Sequence, residues 1–277
     1  MVTKRDYTSD EVEVCLSVMV ELLTLIGELR NHVVLVGGWV PFFLFEDKQH
    51  EHTGSIDIDM AIDFKHVSDS SYKTILKLLE ERGYYQNKQQ PFIFFRNIRT
   101  ENGMDYTIQV DFLAGEYGGA GKSHRTQRIQ DIRARKARGC DLVFDNNKLI
   151  TLQKKIPDGG VNEISVRVAD TVPFLVMKGM ALGARYKEKD AYDIYFTLLH
   201  YPGGLEGLAK EFRSFSQNKL VSEGLGKIKT HFKSIDTPGP VWVANFMEID
   251  DQEEKDRIQR DAFERVNRLC DLLDVKR

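Results

Sequence analysis

GSIDIDMAID, residues Gly54 to Asp63, alternates strictly: Ile56, Ile58, Met60 and Ile62 on one side, Ser55, Asp57, Asp59, Ala61 and Asp63 on the other. A period of two is that of a half-buried β-strand, and it puts Asp57 and Asp59 on one face while the apolar face anchors both to a core. Aspartate is depleted in strands, so two on one face of a rigid element need a physical reason. Carboxylates held that close repel each other, and a hard divalent cation with oxygen ligands, Mg²⁺ above all, removes the repulsion. The competing reading is that these are solvated outward residues of an amphipathic sheet.

A third carboxylate stands where such a site needs one. In YTIQVDFLAG, from Tyr106 on, Tyr106, Ile108, Val110 and Phe112 form an inward face and Thr107, Gln109 and Asp111 the other. Asp111 is therefore expected to complete a triad with Asp57 and Asp59 from a neighbouring strand. Two Mg²⁺ ions bridged by three acidic groups activate an attacking hydroxyl and neutralise a leaving group in an in-line displacement. Upstream, HVVLVGGWVPFFLF (His32 to Phe45) reads as a buried strand, a turn at Gly37-Gly38 and an apolar helix opening at Trp39 or Pro41. Proline suits a first helical turn, and glycines there let backbone amides approach a phosphate while a helix N-terminus adds partial positive charge. A plain tight turn is the alternative.

The bulk composition is that of an ordinary soluble chain: at 277 residues and 42% hydrophobic it can hold one large or two modest domains. A net charge of -3 provides no global cationic field, so a nucleic-acid partner would have to be met by a local basic patch. Cys15, Cys140 and Cys270 are odd in number and lack C-x-x-C spacing, which suggests reduced, packed thiols and a cytoplasmic location. The histidines make no zinc pattern, and His50 and His52 read as solvated loop residues. The N-terminal stretch lacks a signal-like apolar core, and the longest apolar run, Val33 to Phe45, falls short of the ~20 residues a spanning helix needs, so no membrane partner is expected.

Along the chain, helical spacing of Val12, Cys15, Leu16, Met19, Leu23 and Ile26, with a Thr8/Glu11 capping box, predicts a first helix over Asp10 to Leu29. Strands at Val33 to Val36 and at the double-aspartate run follow, then a helix from Ser70 to Arg82, and a hairpin of Pro91 to Asn97 with Tyr106 to Ala114 around Asn102-Gly103. Ser123 to Arg138 is basic and compatible with a helix. Leu142 to Phe144, Leu149 to Lys154 and Glu163 to Val168 have strand character. From Asp170 on the pattern is helical: Thr171 to Tyr186, Asp190 to His200, Leu205 to Phe212, Ser216 to Ser234 and Gln252 to Val275, with Pro238 and Pro240 separating the last two. The expected fold is therefore α+β, a mixed β-sheet flanked by helices (residues 1–168) followed by a mainly helical half (169–277). A cleft between the halves is the default substrate site.

The second half has its own dense stretch, VMKGMALGARYKEKDAYDIYFTL (Val176 to Leu198). Lys178 and Arg185 lie seven apart on one predicted helix face and can meet a triphosphate. Lys178 sits among apolar residues, where an unpaired ammonium is costly, so it needs a ligand or Asp193 as partner. Asp190 reads as a helix cap. GGAGKS (Gly118 to Ser123) imitates the end of a Walker A loop, but the required first glycine falls at Glu116. It reads as a glycine loop beside a basic patch of Lys122, His124, Arg125 and Arg128.

Together the glycine pair, the DIDMAID strand, the later strand aspartate and the stretch from Lys178 to Asp193 resemble the nucleotidyltransferase family of AbiEii/AbiGii-type toxins, within the DNA polymerase β-like superfamily. The likeness covers residues 31 to 200. By it, the glycine and double-aspartate motif falls on Gly37, Gly38, Asp57 and Asp59, the third metal carboxylate on Asp111, the helical lysine on Lys178 and the downstream aspartate on Asp193. Ser55 stands where many relatives have threonine. An arginine common ahead of it is replaced here by the loop His50, Glu51, His52. The resemblance implies transfer of a nucleoside monophosphate from an NTP to an acceptor hydroxyl, in some relatives the 3′ end of tRNA, by the toxin half of a toxin–antitoxin or phage-defence pair. In that scheme Gly37, Gly38, Ser55, Lys178 and Arg185 bind the nucleotide, and Asp193 orients Lys178 or binds the acceptor. Two other readings stay open: an inactive nucleotide- or partner-binding protein of this fold, and an enzyme that modifies a small-molecule or protein hydroxyl.

Overall fold

A computed structural model of the chain describes residues 3–63, 75–116, 126–129, 132–157 and 159–275. It divides into two compact units, one made of Thr8–Val40 and Gly54–Asp170, the other of Met1–Tyr7, Pro41–Thr53 and Thr171–Arg277. The segments 3–7 and 41–53 thus group with the helical half of the sequence.

The first unit is a mixed sheet with helices. Its elements in chain order are α1 (Ser9–Leu25), β1 (Val33–Val36), the start of α2 (Val40–Leu44), β2 (Asp57–Ile62), α3 (Ile75–Glu81), β3 (Tyr84–Gln86), β4 (Ile93–Arg99), β5 (Asp105–Ala114), β6 (Thr126–Ile129), β7 (Ile132–Lys136), α4 (Asp141–Asp145), β8 (Asn147–Lys155) and β9 (Val161–Ala169). The strand order is β3-β4-β5-β2-β1-β9-β8, with β7 added to β5 and β6 to β7. The core strand β2 is antiparallel to β1 and parallel to β5. Helix α1 begins where Thr8 accepts a hydrogen bond from the Glu11 amide, and Cys15, Leu16, Met19 and Leu23 lie on its buried side. Its one buried acid, Glu21, is held by Arg82 at 2.8 Å and Arg96 at 3.1 Å, so the charge is compensated on arrival in the core.

The second unit is helical: the rest of α2, then α5 (Thr171–Leu182), α6 (Glu188–His200), α7 (Gly204–Arg213), α8 (Lys219–His231), α9 (Pro238–Phe246) and α10 (Gln252–Leu272). Phe45, Tyr192, Phe196 and Phe246 form an aromatic cluster within it. Among the described residues no helix is long and apolar enough to cross a membrane.

Several elements differ from the sequence reading, each for a local reason. Leu142 to Phe144 is part of helix α4 rather than a strand. Thr126–Ile129 and Ile132–Lys136 are the paired antiparallel strands β6 and β7 rather than parts of a helix, because the order Ile132, Arg133, Ala134, Arg135 alternates with period two beneath its charge. The prolines at 238 and 240 open α9 instead of separating helices, since the first turn needs no amide donors there. Strand β3 was not expected at all. Helix α5 stops at Leu182, so Arg185 is not on its face but in the connection to α6. The glycine loop Gly118 to Ser123, with Lys122, His124 and Arg125, and the start of the helix expected from Ser70 lie outside the described residues.

Candidate active site

The acidic face is built from β2 and β5. Ile58 and Met60 are fully buried, so the strand's other side carries Asp57 and Asp59, both half-buried. In the parallel pairing of β2 with β5, Asp59 stands opposite Asp111 and Asp57 opposite Gln109. Partners in adjacent strands share a face and lie about 4.8 Å apart along the hydrogen-bonding direction. The expected triad therefore shares one surface, with Gln109 at its fourth corner.

Strand β1 brings the glycine turn to the same place. Val36 pairs with Asp59, and the next residue, Gly37, has φ of +73°. A Cβ built on Gly37 would lie 2.0 Å from Asp59 Oδ2, so any larger residue there would displace the carboxylate. Gly37 to Trp39 make a tight 3₁₀ turn leading into α2, which has only five residues. So short a helix has little macrodipole, and the contribution expected from its N-terminus is replaced by what the turn's own amides can offer.

Neighbouring groups hold these acids in place. Buried Ser55 donates its hydroxyl to Asp57 Oδ1 at 2.5 Å, and the Trp39 indole, itself fully buried, donates to the Asp57 backbone carbonyl at 2.9 Å. Gln109 Nε2 donates to Asp111 Oδ1 at 2.9 Å, and an Arg135 nitrogen stands 3.9 Å from Asp111 Oδ2. Trp39 and Gln109 are hydrogen-bond partners of Asp57 and Asp111 that the motif reading overlooks. Gln109 was detectable, since it shares the i, i+2 face of Asp111. The donor set is all oxygen and suits a hard cation, and Gly37 leaves room beside Asp59. Among the described residues, however, no three Asp, Glu, His or Cys side chains are gathered into a formed metal cage. Cys15, buried nearby, is no substitute ligand: burial first, then the charge of Asp57, pushes its thiol well above the usual range.

Lys178, Arg185 and Asp193 come together separately, in the helical unit. The Lys178 ammonium bonds Asp190 at 2.8 Å and Asp193 at 2.7 Å, while Lys189 reaches Asp193 at 2.9 Å. Arg185 clasps Asp190 with two nitrogens, at 2.9 and 3.1 Å. Asp190 is 1% exposed and paired, so it is a buried counter-ion rather than the cap expected from sequence. Nor is His52 solvated: its side chain is buried, packs on Tyr192 and Phe196, and donates Nε2–H to Asp193 at 3.2 Å.

The charge states follow from these contacts. Burial pulls Lys178 down, but Asp190 and Asp193 more than reverse this and leave it raised. Burial pushes Asp193 up, and Lys178, Lys189 and His52 together hold it well below the carboxylate range. For His52 burial wins over the Asp193 contact and lowers it to about 4, so the imidazole is neutral near pH 7.

No family model and no curated protein matches the chain. Among solved structures it is similar to an antigenic nucleotidyltransferase-like protein from Paracoccidioides brasiliensis, at 16% identity and a TM-score of 0.45, over 80% of this chain and 89% of that one. So distant a likeness decides nothing about this chain's chemistry.

Proposed function

We propose that the sheet unit carries a metal-dependent nucleotidyltransferase site that moves a nucleoside monophosphate from an NTP to an acceptor hydroxyl. The observation that carries this reading is the register of Asp59 with Asp111, on the face shared with Asp57 and against the glycine turn. Asp57, Asp59 and Asp111 would hold Mg²⁺, two ions in the full scheme, which when bound activates the acceptor oxygen and offsets charge on departing pyrophosphate.

The chain's own groups have distinct roles in this scheme. Amides of Gly37 and Gly38 would meet the β- and γ-phosphates, and a side chain at Gly37 would displace the adjoining Asp59 carboxylate. Ser55 and Gln109 fix the directions in which Asp57 and Asp111 present their remaining oxygens. Lys178 keeps Asp190 and Asp193 ionised, and a triphosphate contact from it would require one of those pairs to open. The finer reading, a toxin-type enzyme of a two-component pair acting on the 3′ end of tRNA, draws its support from the motif resemblance.

Incubating the chain with labelled NTPs and separated RNA, protein and metabolite fractions tests the proposal. Label should enter one fraction with release of pyrophosphate, and Asp59→Ala should abolish incorporation while the circular dichroism spectrum is kept. Mg²⁺ should raise the melting temperature of the parent chain and not of Asp59→Ala. Undiminished incorporation by Asp59→Ala refutes the assignment.

A further inference from the structure

A triphosphate needs cations, and the two expected from sequence are committed elsewhere. In the helical unit Lys178 is paired with Asp190 and Asp193, and Arg185 with Asp190. The sheet unit supplies another. Strand β7 runs parallel to β5, with Arg135 opposite Leu113 and Lys136 opposite Ala114. Residues opposite each other in register share a face, and Leu113 lies two positions beyond Asp111, so Arg135 stands on the acidic face and Lys136 on the reverse.

The Arg135 guanidinium is held in a way that leaves its donors usable. It lies over the Phe92 ring, 5.4 Å from the centroid, and one nitrogen is 3.9 Å from Asp111 Oδ2. Stacking steadies an arginine without engaging its N–H groups, and 3.9 Å is beyond hydrogen-bonding range. Among the described residues no acceptor stands closer. The ring beneath is itself tied to the site, since the Phe92 carbonyl accepts the Phe112 amide at 3.0 Å, next to Asp111. At 41% exposure the Arg135 side chain is open to a ligand.

The strands also decide which part of a nucleotide meets it. Gly37 adjoins Asp59, Arg135 adjoins Asp111, and those two acids are partners on adjacent strands, whose spacing is about 4.8 Å. A triphosphate with its β- and γ-phosphates at the glycine turn therefore brings its α-phosphate to the side of Asp111 and Arg135.

We propose that Arg135 is a catalytic residue of this site and grips the non-bridging oxygens of the α-phosphoryl group as it is transferred. The inference rests on the nucleotidyl-transfer reading. In the step itself the acceptor oxygen bonds to the α-phosphorus and the bond from that phosphorus to the α,β-bridging oxygen breaks. The electron pair leaves with pyrophosphate, and the acceptor proton goes to solvent. The guanidinium fork matches two oxygens on one phosphorus and stays charged throughout, so Arg135 offsets charge and takes no proton.

The test compares two probes in Mg²⁺ by titration calorimetry. The α,β-methylene analogues of the four NTPs cannot release pyrophosphate and report binding alone, while pyrophosphate occupies the β,γ end without an α-phosphate. Arg135→Ala should weaken the analogue that the parent binds by about tenfold and leave pyrophosphate affinity unchanged. Turnover of the matching NTP should fall about a hundredfold. Arg135→Lys, which keeps the charge and loses the fork, should lie between parent and Arg135→Ala. Arg99→Ala, which removes an equal charge at the far end of β4, should change neither affinity. The rise in melting temperature on adding Mg²⁺ should persist in Arg135→Ala. Loss of that rise, or equal weakening of analogue and pyrophosphate, makes Arg135 only a support for Asp111 and overturns the proposal. Undiminished analogue binding by Arg135→Ala overturns this inference alone, whereas a parent chain that binds neither probe overturns the nucleotidyl-transfer reading with it.

Discussion

Asp59 in the sheet unit and Asp193 in the helical unit each lie beside a second carboxylate, Asp111 in one case and Asp190 in the other. Their closeness is enforced differently. Strand register sets Asp59 opposite Asp111, whereas Asp190 and Asp193 are neighbours on one helix drawn around the Lys178 ammonium. Asp59 is half-buried, and its neighbours Asp57 and Asp111 accept hydrogen bonds from the uncharged donors Ser55 and Gln109, with an Arg135 nitrogen 3.9 Å from Asp111 as a looser ionic contact. Asp193 is wholly buried and meets two ammonium groups and a neutral imidazole. Acids brought together by backbone pairing and oriented by neutral groups are suited to bind a cationic ligand. Acids neutralised by lysines in the interior hold the fold.

The sharpest way to break this comparison is to remove one acid from each group. Asp193→Ala leaves Lys178 and Lys189 as poorly compensated buried charges and should cost about 3–5 kcal/mol in urea unfolding. Asp59→Ala should change stability by no more than about 1 kcal/mol. Equal losses in both would end the distinction.

Acid should single out the helical cluster. His52 binds fewer protons folded than unfolded between its lowered value of about 4 and its ordinary 6.5, so its stabilising contribution is present above 6.5 and is lost as pH falls through that window. The lowered values of Asp190 and Asp193 extend the loss at still lower pH. Unfolding midpoints measured from pH 7 to 4 should therefore fall, and His52→Gln should flatten the slope. Some slope remains, because burial also lowers His200. An unchanged slope would remove His52 from the cluster's energetics.

Smaller effects belong to the sheet unit. Gly37→Ala forces a left-handed backbone on alanine, about 1–2 kcal/mol, and drives its Cβ into Asp59. Nucleotide incorporation should drop far more than stability does. Ser55→Ala deletes one hydrogen bond, about 1 kcal/mol by thermal unfolding, and should slow transfer without abolishing it. If Ser55→Ala proves as damaging as Gly37→Ala, then the orientation of Asp57, more than access to the turn, limits the site.

The common face of Asp57, Asp59 and Asp111 was legible because its signals are local. Alternation through Ile58 and Met60 assigns the face of Asp57 and Asp59, and the strand containing Asp111 shows the same period. The charged core of the helical unit was only half legible. Lys178 among apolar neighbours advertised a need for an anion, and Asp193 was identified as a candidate partner. From sequence alone His52 reads as solvated, because a loop histidine has no periodicity to reveal burial. Asp190 looked like a cap because a helix start is where aspartate usually caps, and nothing local shows that Lys178 and Arg185 reach it. The β6–β7 hairpin was hidden by its charge, since arginines at alternate positions read as a basic helix unless the period is followed closely.

What the sequence determined on its own is which residues share a face and where turns must bend, because side-chain period and glycine geometry act over a few residues. The partnership of Asp59 with Asp111, the seating of Gly37 against that carboxylate and the passage of residues 41–53 into the helical unit were decided by the tertiary structure. Each depends on contacts between segments distant in the chain, where shifting a strand by one residue would turn the same aspartates to the opposite face.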